Sequence, residues 1–199
     1  GVLTLTSGTF TVGAFSLTIN NPIAGTPNNL SANQTSSIII AGTSANVNLP
    51  SSVTQLNNLT VSNSQGSTLQ GNLNVKNAVL ISASAGTVNS GLFTFNGTAN
   101  LTMNGGNLYM EKNGVVLPEF TGSYNLTGGT VTFAGVGIAS DAQTVRPVNY
   151  FNLVSDVDGD RILNPSGTIG IANTFTPSTY PYTNAYTMTA STLDFSTSG

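Results

Sequence analysis

Short runs of alternating apolar and polar residues recur along the chain, and they predict strands. The most regular stretch is LNNLTVSNSQGSTLQGNLNVKNAVLI at residues 56–81, which contains the runs Leu59–Val61, Leu69–Val75 and Ala78–Ile81. Apolar residues two apart share one face of a strand, whereas a helix needs spacings of three and four. The polar residues and Gly between the runs are typical of turns. We therefore expect an all-β chain of about twenty short strands.

The block at residues 56–81 has a counterpart at residues 150–175. Asn58 corresponds to Asn152, an offset of 152 − 58 = 94 residues, and Leu73 corresponds to Ile169, an offset of 169 − 73 = 96 residues. Ordered self-similarity is typical of stacked repeats. We predict one continuous parallel β-helix, or β-solenoid, over residues 1–199, with about three strands in coils of roughly 20–25 residues. Tandem β-sandwich domains are the alternative.

Two further predictions make this fold specific. The Asn113-Gly114 turn signal predicts an antiparallel hairpin that leaves the array over residues 107–118. The alternation also predicts which side chains form the core: Leu59, Val61, Leu69, Leu73, Val75, Val79, Ile81, Phe93, Phe95, Leu153, Ile169 and Ile171.

The composition excludes several function classes. The chain has no Cys and no His, so zinc sites built from these residues and a nucleophile–histidine triad are excluded. Four basic residues and a net charge of −3 argue against a nucleic-acid partner. No apolar run reaches the ~18 residues of a membrane span. Low charge, with abundant Thr, Ser and Asn, favours an extracellular location.

Several phrases resemble the tandem repeats of long Bacteroidota cell-surface adhesins, the gliding-type cargo of the type IX secretion system. They are LTLTSGTFTVGAFSLTIN, LNNLTVSNSQGSTLQGNLNV, NYFNLV followed by RILNPSGTIGIANTF, and YTMTASTLDFSTSG. The resemblance covers most of the chain and implies a repeat segment of a surface filament or stalk that mediates adhesion. It implies no catalysis. Residues 110–118 and 156–160 depart from the plain repeat, so a specialised local role there stays open.

The densest charge in the chain lies in the loop Asp156-Val-Asp158-Gly-Asp160. Alternate carboxylates on a tight turn converge on one side, and hard oxygen ligands suit Ca²⁺. The sequence therefore predicts a calcium site at Asp156, Asp158 and Asp160, and no other cofactor. An EF-hand is excluded because the twelfth position from Asp156 is Gly167 rather than Glu. The alternative is a solvated turn with Arg161 as the partner of the aspartates.

Other candidate chemistry is sparse. The candidates for a carboxylate pair that cleaves polysaccharide are Glu111, Glu119, Asp141 and Asp194. They lie far apart in sequence, so we do not expect an enzyme. Three Thr-x-Thr runs are candidates for ice binding: Thr4–Thr6, Thr9–Thr11 and Thr130–Thr132. Thr also favours strands through its β propensity alone. Three tyrosines are candidates for stacking on a sugar or for covering the array: Tyr180, Tyr182 and Tyr186. Lys76 and Lys112 are candidates for isopeptide cross-links with Asn.

The sequence thus predicts a structural repeat segment of an elongated surface adhesin. A carbohydrate-binding or ice-binding solenoid module is the alternative, with surface glycans as the expected partners of the carbohydrate-binding form. Gly1-Val-Leu-Thr-Leu and Thr192-Leu-Asp-Phe195 place strands at both ends without a polar cap. A stacked array needs such caps to cover its open edges. We therefore expect contact with further repeats, in the same chain or in stacked copies.

Overall fold

The computed structural model describes residues 1–157, 159–178 and 186–196, and this part of the chain is an all-β solenoid of about nine turns. Short 3₁₀ turns lie at Pro27–Asn29 and Ala139–Asp141. The strands are β1 (Thr4–Leu5), β2 (Phe10–Thr11), β3 (Ser16–Ile19), β4 (Ala24–Gly25), β5 (Leu30–Ser31), β6 (Ser37–Ile40), β7 (Val47–Leu49), β8 (Gln55–Val61), β9 (Ser67–Leu69), β10 (Leu73–Ile81), β11 (Thr87–Gly91), β12 (Phe95–Gly97), β13 (Asn100–Met110), β14 (Val116–Leu117), β15 (Glu119–Phe120), β16 (Tyr124–Phe133), β17 (Gln143–Val145), β18 (Asn149–Ser155), β19 (Arg161–Leu163), β20 (Thr168–Thr176), β21 (Tyr186–Thr187) and β22 (Thr192–Asp194).

Every strand pair among the described residues is parallel. The predicted β-solenoid is therefore confirmed, and the antiparallel sheets of a β-sandwich are excluded. Leu59 pairs with Val79, Val79 with Leu101, and Leu101 with Tyr124. The steps between successive coils are thus 79 − 59 = 20, 101 − 79 = 22 and 124 − 101 = 23. These three steps lie within the predicted coil length, whereas the later steps of 144 − 116 = 28 and 162 − 144 = 18 fall outside it.

Each coil has three sides, and long strands bend from one side to the next. One side, which we call the first, contains β7, β9, β11, residues 107–110 of β13 and residues 130–133 of β16. Another side, which we call the third, contains β3, β6, residues 58–61 of β8, residues 78–81 of β10 and residues 100–103 of β13. The second side lies between them and includes the start of β10.

The run Leu69–Val75 is not one strand, which corrects the sequence prediction. β9 ends at Leu69, and β10 begins at Leu73 on the next side of the coil. The corner between them packs closely on the coil below, because a Cβ on Gly71 would lie 2.9 Å from the Cα of Ser51. Leu69, Leu73 and Val75 are nevertheless all buried, since both sides direct alternate residues into the same core.

The core runs through the whole stack. The predicted core residues that are at most 4% exposed are Leu59, Val61, Leu69, Leu73, Val75, Val79, Ile81, Phe95, Leu153, Ile169 and Ile171. Phe93 is the exception, at 38% exposed, so that assignment is wrong. The backbone N–H of Phe93 donates to the carbonyl of Ser90 in a tight turn after β11. Phe93 therefore lies at a corner, where the period of two is interrupted.

The antiparallel hairpin predicted over residues 107–118 is also wrong. Residues 107–110 of β13 pair in parallel with β11 and β16, and β14 pairs in parallel with β17. The chain does bend at Gly114, where φ is 68°. The strands that flank it find their partners in neighbouring coils instead of in each other, because stacking buries both of their edges.

The two similar blocks share a local structure but occupy different columns of the stack. β8 and β18 have the same alternation of exposed and buried positions. The Asn77 side chain donates to Oδ1 of Asn58 at 2.8 Å, and the Asn173 side chain donates to Oδ1 of Asn152 at 2.7 Å. Residue 59 nevertheless aligns with residues 79 and 101, whereas residue 153 aligns with residues 131 and 108. The repeated unit is therefore a bent strand with its corner asparagine, rather than a whole number of coils.

Among the described residues, no helix has the length and apolar character that crossing a bilayer requires.

Candidate functional site

The aspartate loop follows β18 in one of the last coils. Oδ1 of Asp156 accepts a hydrogen bond from the backbone N–H of Val157 at 2.9 Å, and Oδ2 of Asp160 accepts one from the N–H of Ala139 at 2.8 Å. Asp158 lies outside the described residues. The described residues contain no group of three acidic or other metal-ligating side chains. The calcium site at these three aspartates therefore stays a prediction.

The guanidinium of Arg161 lies beside this loop and supplies a positive charge there. Arg161 is 1% exposed, and Nη1 of its guanidinium donates to the carbonyl oxygens of Gly135 at 2.9 Å and Asp160 at 3.0 Å. Nη2 donates to the carbonyls of Phe133 and Asp156, both at 2.9 Å. Burial lowers the pKa of Arg161, while nearby Tyr186 and the loop aspartates raise it. The guanidinium thus binds backbone oxygens of the kind that a metal ion would need.

Arg161 is a structural residue that the sequence analysis treated only as a partner of the aspartates. β19 reads buried, half-buried, buried over Arg161, Ile162 and Leu163. Strand parity therefore places the arginine on the inward face, and this signal was present in the sequence. Burying a cation is costly unless it is hydrogen-bonded, and here Nη1 and Nη2 each donate to two main-chain carbonyls, whereas Nε is buried without a partner among the described residues.

Gln143 joins the same region to an earlier coil. It is fully buried, its Oε1 accepts from the N–H of Gly135 at 3.0 Å, and its Nε2 donates to the carbonyls of Met110 at 3.0 Å and Lys112 at 2.9 Å. The loop at residues 134–142 makes this step between coils unusually long, since Val116 pairs with Thr144 and 144 − 116 = 28. Gln143 and Arg161 therefore anchor an insertion whose backbone has few strand partners.

The four carboxylates proposed for polysaccharide cleavage lie on separate elements. Glu119 in β15 forms an ion pair with Lys112 at 2.9 Å, whereas Asp194 in β22 accepts hydrogen bonds from Ser196 that lower the pKa of this carboxyl. Asp141 is exposed in the second 3₁₀ turn, and Glu111 follows β13. No described contact joins any two of them, and the expectation that they form no catalytic pair stays a prediction.

Lys112 is held by an acid and a hydroxyl. Its Nζ donates to Oε1 of Glu119 and, at 2.8 Å, to Oγ1 of Thr94, and Oε2 of Glu119 accepts from the N–H of Phe95 at 3.3 Å. No asparagine side chain takes part in these contacts. An isopeptide bond to Asn at Lys112 therefore stays a prediction, as does the one at Lys76.

Tyr186 packs against the side of the last coils. Its ring makes an edge-to-face contact with Phe175, with the ring centroids 6.0 Å apart. Both residues line an apolar cavity of about 100 Å³ together with Leu153, Leu163 and Leu193. Tyr180 and Tyr182 lie outside the described residues. The described part of this cluster is thus a half-buried aromatic pair that covers the core beside this cavity.

Threonine hydroxyls on the first side form hydrogen bonds to asparagines of neighbouring coils. On the first side, Oγ1 of Thr132 donates to Oδ1 of Asn107 at 2.8 Å, and Oγ1 of Thr68 donates to Oδ1 of Asn46 at 3.2 Å. These hydroxyls connect one coil to the next. The exposed Thr4 and Thr11 of the predicted Thr runs pair with Ala24 and Ser31 rather than with further threonines. The Thr-x-Thr runs therefore do not stack into a continuous array.

Comparison with known protein families, with curated proteins and with solved structures finds no match to this chain.

Proposed function

We propose that this chain is a non-catalytic structural segment of an elongated extracellular adhesin, and that it associates end to end with further β-solenoid coils. The continuous parallel stack of about nine turns carries the proposal. Parallel strands lie ~4.8 Å apart, so the stack measures about 40 Å along its axis. A single core along that length gives a stiff rod, which is the property that a stalk or filament requires.

The first coil supports the end-to-end contact. Strands β1, β2 and β3 each have one partner strand, so one edge of each is unpaired within the described structure. The same coil exposes large apolar side chains, with Phe15 78%, Val2 58% and Phe10 43% exposed. Unpaired strand edges template further pairing, and a head-to-tail contact between parallel coils propagates into a fibre.

Light scattering of the chain against concentration tests the association. We expect oligomers to increase with concentration, and we expect Phe15→Lys to reduce them because it places a charge at the open coil. Leu92→Lys is the matched control, because Leu92 is 69% exposed at a corner in the middle of the stack. Scattering that does not change with concentration, or an equal effect of the two substitutions, would contradict the end-to-end contact.

The extracellular location is tested separately. It is supported by the low content of charged residues, 6%, and by the likeness of the sequence to surface adhesin repeats. An antibody against this segment should label intact cells of the source organism, and external protease should remove the signal. Labelling that requires cell lysis would refute the location without bearing on the stacking.

A further inference from the structure

Two outward columns of side chains run along the third side, parallel to the solenoid axis. The residues of each column pair with one another in adjacent coils. The outer column alternates hydroxyl and aliphatic side chains: Thr18, Ile39, Thr60, Leu80 and Thr102. The inner column consists of small or amide side chains: Ser16, Ser37, Asn58, Ala78 and Asn100.

The threonine hydroxyls of the outer column have no partner in the described structure, in contrast with those of the first side. Thr68 and Thr132 on the first side donate to asparagines. Thr18, Thr60 and Thr102 make no side-chain hydrogen bond among the described residues, and they alternate with side chains that cannot form one. Their donors and acceptors are therefore available to a ligand.

Seven of the ten column residues line a shallow groove of about 300 Å³, and Thr60 is the outer-column threonine among them. Its polar lining includes Ser16, Ser37 and Asn58, and its apolar lining includes Ile39 and Leu80. The Asn58 side chain is oriented by two bonds, since its Nδ2 donates to Oγ of Ser37 at 3.0 Å and its Oδ1 accepts from Asn77. None of the ten column residues is charged. An ionic ligand would therefore find no counter-charge among them, whereas a neutral hydroxyl-rich ligand is complementary.

We infer that this groove binds an extended, uncharged β-1,4-linked polysaccharide aligned with the solenoid axis. Such a chain carries equatorial hydroxyls along its edges and axial C–H groups on its faces, which are complementary to the Thr hydroxyls and to the aliphatic groups of Ile39 and Leu80, respectively. Successive threonines are two coils apart, about 10 Å at parallel-strand spacing. The glycan also repeats every two sugar residues, because alternate residues are turned over. This inference goes beyond the structural role and does not rest on it.

Sedimentation of the purified chain with insoluble cellulose, xylan, mannan and chitin tests the inference. We expect retention on at least one of the four, and a loss of affinity of about tenfold or more for Thr60→Glu, which puts charge and bulk in the groove. Asn48→Glu is the control, because Asn48 is exposed on the first side and makes no described side-chain bond. Circular dichroism of each variant verifies that the fold is retained.

Each outcome decides the question. Retention of the native chain and of Asn48→Glu, with loss for Thr60→Glu, supports the groove. Equal retention of both variants would place the site elsewhere and overturn the inference. Retention on none of the four polysaccharides would overturn it as well. Incorporation of the chain into growing ice without retention on any glycan would identify ice as the occupant and refute the polysaccharide.

Discussion

Replacing Arg161 with Met tests whether the buried guanidinium holds the late coils together. Met has a similar reach but removes the charge and all of the donors. The carbonyl of Phe133 would keep a partner, because it also accepts the N–H of Asp156 at 2.8 Å. The carbonyls of Gly135 and Asp156 receive no other donor among the described contacts. The substitution therefore leaves the buried carbonyl of Gly135 and the half-buried carbonyl of Asp156 without a donor among the described contacts.

The magnitude follows from these two acceptors. Each buried group left without a partner costs about 1–3 kcal/mol. Part of that loss is offset, because Met removes the cost of burying a charge. We expect the free energy of unfolding to fall by about 3 kcal/mol. Arg161→Lys keeps the charge but lacks the planar fork, so it should also be destabilised.

Urea denaturation and hydrogen exchange together provide the assay. Coils of a solenoid open locally, so exchange should accelerate in the 133–163 region more than in β6 to β10. Arg146→Met is the matched control: Arg146 donates to the carbonyl of Pro118 at 2.7 Å and lies over the ring of Tyr124, with its guanidinium carbon 5.6 Å from the centroid. The free energy of unfolding of Arg146→Met should fall by about 1 kcal/mol. If Arg161→Met is within about 0.5 kcal/mol of the native protein and its exchange is unchanged, the reasoning is wrong.

Three further predictions concern a corner, a phenol and the aspartate loop. Gly66→Ala should unfold its coil in a thermal melt, because Gly66 has φ +84° and a Cβ there would overlap the carbonyl of Thr87. Gly8 has φ +68° and open space around it, so Gly8→Ala should lower the free energy of unfolding by only about 1–2 kcal/mol. Similar melting curves for the two variants would refute this reasoning. Burial raises the pKa of Tyr124 from 10.0 to about 12, so its contribution to stability is complete below pH 10 and is lost as the pH rises towards 12. Melting temperatures of the native chain and Tyr124→Phe across that range should therefore converge at high pH, and parallel curves would contradict the assignment. If the loop of Asp156 binds Ca²⁺, the melting temperature should rise with added Ca²⁺ and fall with a chelator; a melt that responds to neither would exclude the site.

The sequence by itself determined the class of fold and most of the core. A period of two is a local property, so Val75 and Ile81 could be assigned to the interior from their neighbours alone. Turn residues marked many of the corners for the same reason, although the corner between Leu69 and Leu73 was missed, and the coil length followed from the spacing of the runs. Phe93 was misassigned because it lies at a corner, where local parity breaks down.

The tertiary structure decided which residues meet across coils. Registers accumulate over loops of unequal length, since the step from Val116 to Thr144 is 144 − 116 = 28 and the next, from Thr144 to Ile162, is 162 − 144 = 18. Two blocks with the same pattern therefore occupy different columns, a difference that no local pattern encodes. The same accumulation places Arg161 among four carbonyls and leaves the hydroxyl of Thr60 unpartnered among the described contacts while that of Thr132 is bonded. Local alternation determines that a side chain points inward or outward, but only the stacking of the coils determines what it contacts.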